Sequence, residues 1–253
     1  LDVYYVSFGV PDLIFNLIVA GAISSALIPL FTEYRQTSPQ GAERLMNVFF
    51  NHTIVVVALL VVITGLCAPL FIHLIAPGFS DDQHQLAVLF LRVMLLNPLL
   101  FTMSMVAGAV LQAQKRFFSY AIAPLLYNVG IIIGAIWLVP VFGPLGLAEG
   151  VVLGAFLHAV FQVVDLYRSG FRWRFVWDWR DSGLWRIYTL MLPRALGLGL
   201  HHIGWLVLNA MATTISVGSV SVLNFAYNIQ YLPVAFVGMS IATAYFPNLS
   251  QDV

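Results

Sequence analysis

The chain has 253 residues, of which 60% are hydrophobic and only 9% are charged. Ordinary soluble domains carry about 25% charged residues, so this composition excludes a soluble globular protein and indicates that lipid surrounds most of the chain. Eleven basic and eleven acidic residues cancel and give no indication of nucleic acid as a partner, while the single cysteine, Cys67, excludes an internal disulfide and multi-cysteine metal motifs.

Seven apolar stretches are long enough to cross a bilayer. A helical span needs about 20 predominantly apolar residues, because the hydrocarbon core is about 30 Å thick. Helices are predicted because lipid cannot satisfy exposed backbone groups, and the stretches are too long for barrel strands. In chain order the predicted spans are residues 3–31, 45–75, 85–111, 120–142, 145–166, 187–217 and 222–249. The sequence therefore predicts an all-α membrane protein, a polytopic bundle of about seven transmembrane helices.

The connections between these spans differ in charge. The even-numbered connections, 76–84, 140–144 and 218–221, contain no Lys or Arg. The odd-numbered connections hold nine of the eleven basic residues: Arg35, Arg44, Lys115, Arg116, Arg168, Arg172, Arg174, Arg180 and Arg186. Basic loops face the cytoplasm, so we expect Leu1 near the outer face and Val253 near the inner face. With no Met or basic leader before Leu1, we expect a fragment that lacks at least one upstream helix.

The segment 168–186 interleaves its arginines with aromatic residues. The aromatic residues are Phe171, Trp173, Phe175, Trp177, Trp179 and Trp185. Trp and Arg are typical of the headgroup level, which favours a cytoplasmic interfacial segment. A patch that binds anionic lipid or the headgroup of a substrate is the alternative.

Two glycine pairs predict close helix packing. Gly130 and Gly134, and likewise Gly150 and Gly154, are four residues apart. Small residues at this spacing let two helix backbones approach each other, which indicates a compact bundle.

A weak internal repeat links the two ends of the chain. Residues 1–11 resemble residues 223–233, with Leu, Tyr and Pro at matching positions and Asp2 corresponding to Asn224. Transporters are often built from repeated lobes around a midplane site, and an interval of six spans fits that plan. We therefore divide the chain into an N-terminal lobe (1–168) that lacks its first helix, a cytoplasmic interfacial linker (169–186), and the first two helices of a second lobe (187–253).

Polar side chains inside the spans mark two helix faces. Asp12 and Asn16 in the first span, and Asn224 and Asn228 in the seventh, are four residues apart, so each pair shares a face. Burial of such groups in lipid costs free energy unless a cavity or a partner receives them. Two interpretations stay open: faces that line a polar cavity, or hydrogen bonds between helices.

The sequence gives no positive indication of catalysis, of a cofactor or of a metal. Adjacent helix positions point about 100° apart, so His201 and His202 cannot easily face one ion, although one of them lining a cavity stays open. A Walker loop, a G-x-S-x-G motif and a metalloprotease helix are all absent from the sequence. We therefore expect that the protein is not an enzyme.

Several stretches carry a family resemblance along the whole chain. They are residues 2–11 (DVYYVSFGVP), 20–29 (AGAISSALIP), 76–79 (APGF) and 108–117 (GAVLQAQKRF), with Ala123, Pro124, Asn128, 191–193 (MLP), 218–221 (GSVS), Pro233 and 247–250 (PNLS). In this order they resemble the MurJ (MviN) family of lipid II flippases, in the superfamily that also holds polysaccharide flippases and multidrug exporters. The resemblance implies that the chain covers the second to the eighth of about fourteen helices.

The resemblance also implies a fold and a site. It implies a V-shaped pair of six-helix lobes, of which this chain holds one nearly complete lobe and the start of the second. A polar cavity between the lobes takes the lipid II headgroup and pyrophosphate by alternating access. Asn16 and Asn228 stand where the family usually has cavity arginines, Ala20 where it has a glutamate and Tyr227 where an aspartate is common, whereas Asp2 keeps an acidic position. The candidate substrate-binding residues are Asp2, Asn16, Asn224 and Asn228, with Arg194 as a weaker candidate.

The resemblance predicts a lipid II flippase of the bacterial cytoplasmic membrane. Its expected partners are the lipid-linked precursor, membrane lipids and, as candidates, cell-wall synthesis proteins. Pyrophosphate prefers fixed cations, and asparagine supplies only neutral hydrogen bonds. Two alternatives therefore stay open: a transporter of another lipid-linked oligosaccharide or a cationic drug, and a non-transporting scaffold that recruits cell-wall synthases.

Overall fold

A computed structural model describes residues 1–20, 26–234 and 237. The described part of the chain is built from α-helices joined by short connections. The helices are α1 (Asp2–Phe15), α2 (Ile28–Thr37), α3 (Pro39–Leu66), α4 (Ala68–Ile75), α5 (Asp81–Met94), α6 (Leu96–Ala113), α7 (Phe118–Ile133), α8 (Val139–Phe142), α9 (Leu145–Arg168), α10 (Ser182–Thr213) and α11 (Ser219–Pro233). Single π-helical turns follow α1 at Asn16–Ala20 and α7 at Gly134–Leu138.

Five helical stretches in the described residues are long and apolar enough to cross a membrane. They are Pro39–Leu66, Asp81–Ala113, Phe118–Phe142, Leu145–Arg168 and Ser182–Thr213. These stretches match the second to sixth predicted spans, and they confirm the predicted polytopic all-α membrane fold. The first predicted span (3–31) and the seventh (222–249) include residues outside the described part, and their described portions are helical.

The predicted second span, 45–75, is two helices. α3 ends at Leu66, and α4 begins at Ala68 with Pro69 in its first turn. Proline has no N–H to donate and its ring clashes with the carbonyl four residues earlier, which favours a break at this point. The break places Ile75 of α4 beside α1, where it contributes to the cavity described below.

Glycines allow the backbones of α7 and α9 to pack closely. A Cβ added at Gly130 would lie 2.2 Å from the Cα of Gly154, and one added at Gly134 would lie 2.5 Å from the Cα of Gly150. Only hydrogen fits at such distances, so the two backbones are in direct contact. The predicted packing role of both glycine pairs is confirmed.

The linker is fixed on α3 through its backbone. Residues 171–178 have no regular secondary structure, and Asn51 donates hydrogen bonds to the carbonyl oxygens of Arg174 and Val176, both at 3.0 Å. The Oδ1 of Asn51 accepts from the indole N–H of Trp173 at 2.9 Å. Asn47, one turn earlier, accepts from the Arg174 amide at 2.9 Å. A segment without helix or strand lacks the regular backbone hydrogen bonds of those elements, so side chains of α3 supply partners for its backbone.

Candidate substrate cavity

A cavity of about 440 Å³ lies between α1, α10 and α11. Its described lining residues are Tyr4, Tyr5, Val6, Phe8, Gly9 and Asp12 of α1, Ile75 of α4, Tyr127 of α7, His202, Trp205, Leu206 and Asn209 of α10, and Asn224 and Asn228 of α11. α10 and α11 each present one face, since their lining residues recur at intervals of three or four, whereas α1 contributes a broader surface.

Hydrogen bonds hold the walls of the cavity together. The Nε2 of His202 on α10 lies 3.1 Å from the carbonyl oxygen of Gly9 on α1. The side-chain amide of Asn224 on α11 donates to the Oδ1 of Asn209 on α10 at 2.9 Å. The two interpretations of the Asn224–Asn228 face therefore apply together, because Asn224 bridges two helices while both residues line the cavity. Of the two adjacent histidines, His202 faces this cavity.

Asp2 caps the beginning of α11. Its carboxylate accepts hydrogen bonds from the amide of Gly218 at 2.6 Å, the amide of Ser221 at 2.8 Å and the hydroxyl of Ser221 at 2.5 Å. The first amides of a helix have no partner within it and carry partial positive charge, which a carboxylate neutralises. Asp2 is 7% exposed and is not among the described residues that line this cavity. It connects the first turn of α1 to the first turn of α11.

Asn16 and Arg194 lie outside the described lining of this cavity. Asn16 donates to the carbonyl oxygen of Asp12 at 2.8 Å, within its own helix, and begins a π-helical turn. Arg194 is exposed on α10. Neither is among the described lining residues, whereas Asn224 and Asn228 are.

Most of the aromatic lining was not predicted from the sequence, and Asp12 was placed on a polar face but not among the candidate substrate-binding residues. Tyr4, Tyr127 and Trp205 look in a sequence like any other aromatic residues of a membrane helix, and only the packing of three helices brings them to one cavity. The position of Asp12 could have been predicted, because acidic residues inside a span face bundle interiors or cavities.

Comparison with known proteins places the chain in a family. The family model described as "Lipid II flippase MurJ" matches residues 1–253. Relatives named "Probable lipid II flippase MurJ" include one from Vibrio cholerae serotype O1, 28% identical over 99% of this chain and 50% of the relative. Another, from Treponema pallidum, is 28% identical over 100% of this chain and 49% of the relative. The chain thus spans about half the length of the curated relatives it matches.

A solved structure has the same fold. The structure "Lipid II flippase MurJ, inward closed conformation" aligns with a TM-score of 0.81 at 22% sequence identity, over 99% of this chain and 52% of that chain.

The substitution Asp2→Ala is expected to destabilise the protein. It removes three hydrogen bonds to the start of α11, and loss of a helix cap costs about 0.5–2 kcal/mol. Thermal unfolding of the purified full-length protein in detergent measures the effect. Asp82→Ala, at an exposed carboxylate of α5, is the control. Equal midpoints for Asp2→Ala and the control would contradict the capping role.

Proposed function

The chain belongs to the lipid II flippase MurJ family, and on that premise we propose that it forms part of a flippase for a lipid-linked peptidoglycan precursor. The flippase would carry this cargo across the bacterial cytoplasmic membrane by alternating access. The family match along residues 1–253 carries the proposal. The polar cavity between three membrane helices supports it, because polar groups at membrane depth mark substrate pathways.

The proposed cargo contacts are the amides of Asn224 and Asn228. Both line the cavity. The amide of Asn228 has two donors and an acceptor for the hydroxyl and amide groups of a sugar–peptide headgroup, whereas Asn224 donates to Asn209 and Val220 and offers its Oδ1 as an acceptor. Asp2 acts as a positioning residue, since it fixes the start of the helix that carries both asparagines. The cavity lining gives Asn16 and Arg194 no support, and we assign them no role.

The two proposed lobes explain how the cavity would open. α1 belongs to the lobe 1–168, whereas α10 and α11 lie in or next to the second lobe, 187–253. The polar contacts between these walls include the one between His202 and Gly9 and the cap that Asp2 forms on α11. Movement of one lobe against the other would exchange these contacts for others and change the side from which the cavity is reached.

The basic connections are proposed to face the cytoplasm. Positive-inside orientation depends on Lys and Arg counts rather than on net charge. The ion pairs of Arg44 with Asp178 at 2.7 Å and of Arg186 with Glu33 at 2.9 Å therefore do not weaken the argument. In this orientation the linker lies at the cytoplasmic interface, and Trp173, Trp177 and Trp179 are 42–49% exposed there, as interfacial tryptophans are.

Cysteine labelling tests this orientation. With Cys67→Ser as background, Ser216→Cys lies in an exposed turn before α11 and Gln40→Cys in the exposed first turn of α3. We expect a membrane-impermeant maleimide to label Ser216→Cys in cells with a permeable outer envelope, and to label Gln40→Cys only after the cytoplasmic membrane is opened. The reverse pattern would contradict the proposed orientation.

Conditional depletion of a bacterium's own lipid II flippase tests the function. The unmodified full-length protein is expected to restore growth. Asn228→Phe is expected to abolish rescue, because it fills the cavity, whereas Ile229→Phe, at a neighbouring position 69% exposed, is expected to rescue. Membrane insertion of each variant is checked by immunoblot.

Two outcomes would count against the proposal. Full rescue by Asn228→Phe would favour the scaffold, which has no need of an open cavity. Failure of the inserted, unmodified protein to rescue would overturn lipid II as the cargo.

One observation favours a second cargo. The described lining residues include one carboxylate and neither Lys nor Arg, whereas pyrophosphate prefers fixed cations. A transporter of another lipid-linked oligosaccharide or of an organic cation would fit this lining. Binding of an organic cation by a protein that fails to rescue would establish this second function.

A further inference from the structure

Asp12 presents a carboxylate to the cavity without a partner from the protein. It lies on the same face of α1 as Tyr5 and Phe8, and both of these also line the cavity. The hydrogen bond that Asp12 accepts from Asn16 goes to its backbone oxygen. Within the described residues no hydrogen bond or ion pair reaches its side chain, in contrast to Asp2, whose carboxylate accepts three.

The rest of the cavity wall does not neutralise Asp12. The Nε2 of His202 faces the carbonyl oxygen of Gly9, so its N–H donates there and not to Asp12. Asn209 and Asn224 bond to each other. Asp12 is the one carboxyl side chain among the described lining residues, and a carboxylate away from bulk water gains free energy when a cation pairs with it.

The aromatic lining suits a cation as well. Tyr4, Tyr127 and Trp205 border the same cavity, and the faces of aromatic rings attract cations. A metal ion fits less well, because the described residues bring together no group of three or more His, Cys, Asp or Glu side chains. An ammonium group needs fewer ligands: its three N–H donors can be shared by one carboxylate and amide or hydroxyl oxygens.

We propose that Asp12 is a specificity-determining residue that binds a primary ammonium group of the transported headgroup. The inference rests on the proposed function, because the peptide of a peptidoglycan precursor contains a diamino acid with a free amine. It places the peptide end of the cargo against α1, α10 and α11. The pyrophosphate is then held outside these walls, which explains why their lining needs neither Lys nor Arg.

Binding of two matched precursors tests the inference. The purified full-length protein is offered the lipid-linked precursor with its peptide amine free, and the same precursor with that amine acetylated. The unmodified protein is expected to prefer the free amine by about tenfold, the worth of a hydrogen bond between charged groups. Asp12→Asn, which keeps size and shape, is expected to bind both forms with the affinity that the unmodified protein has for the acetylated one.

Two further variants complete the test. Asp82→Asn removes an exposed carboxylate outside the cavity and should keep the full preference. Asp12→Glu should keep part of the preference because it retains the charge. Unchanged binding of the acetylated precursor by Asp12→Asn shows that this variant is folded.

The outcomes separate the inference from the proposed function. Equal binding of the two precursors by the unmodified protein, or a preference that survives in Asp12→Asn, would overturn the role of Asp12 and leave the flippase standing. A third result would also overturn this role and favour an inorganic cation: the unmodified protein binds both precursors equally and needs sodium to do so, whereas Asp12→Asn needs no sodium. Failure to bind either precursor would overturn the proposed function and the inference with it.

Discussion

Lipid offers no hydrogen bonds, so each polar group at membrane depth must find its partner inside the protein. This constraint accounts for the contacts that organise the described chain. The first amides of α11 bond to Asp2, and the backbone of the linker bonds to Asn47 and Asn51 of α3. The carboxylate of Asp12 has no such partner among the described residues and lines a cavity instead.

The same contacts connect structure to transport. Asp2 and His202 attach α1 to the two helices that follow the linker, and the linker is itself fixed to α3. Apolar contacts join the same walls, since Val6 of α1, Ala212 of α10 and Val220 of α11 belong to one hydrophobic cluster. Individual polar contacts can break and re-form with other partners when helices move as rigid bodies, as expected of a protein proposed to alternate between two arrangements.

Periodicity and composition predicted what depends on local sequence. The second to sixth spans, the glycine contacts between α7 and α9, and the shared face of Asn224 and Asn228 all follow from spacing within one helix. Pro69 in the sequence indicates the break after α3. The cap formed by Asp2 could not be predicted from the sequence, because its partners are 216–219 positions away in the chain. Which residues of the Asp12–Asn16 face line the cavity likewise depends on packing, since the described lining includes Asp12 and not Asn16.

The central claim is that α1, α10 and α11 enclose a hydrated cavity, and thiol accessibility tests it most directly. In the Cys67→Ser background, Asn228→Cys lies on the cavity wall, and the adjacent Ile229→Cys, 69% exposed, is expected to face lipid. A charged methanethiosulfonate reagent reacts with thiolates in water and not in hydrocarbon. We predict rapid modification of Asn228→Cys and slow modification of Ile229→Cys in membranes. Equal rates, or faster reaction at position 229, would contradict the cavity.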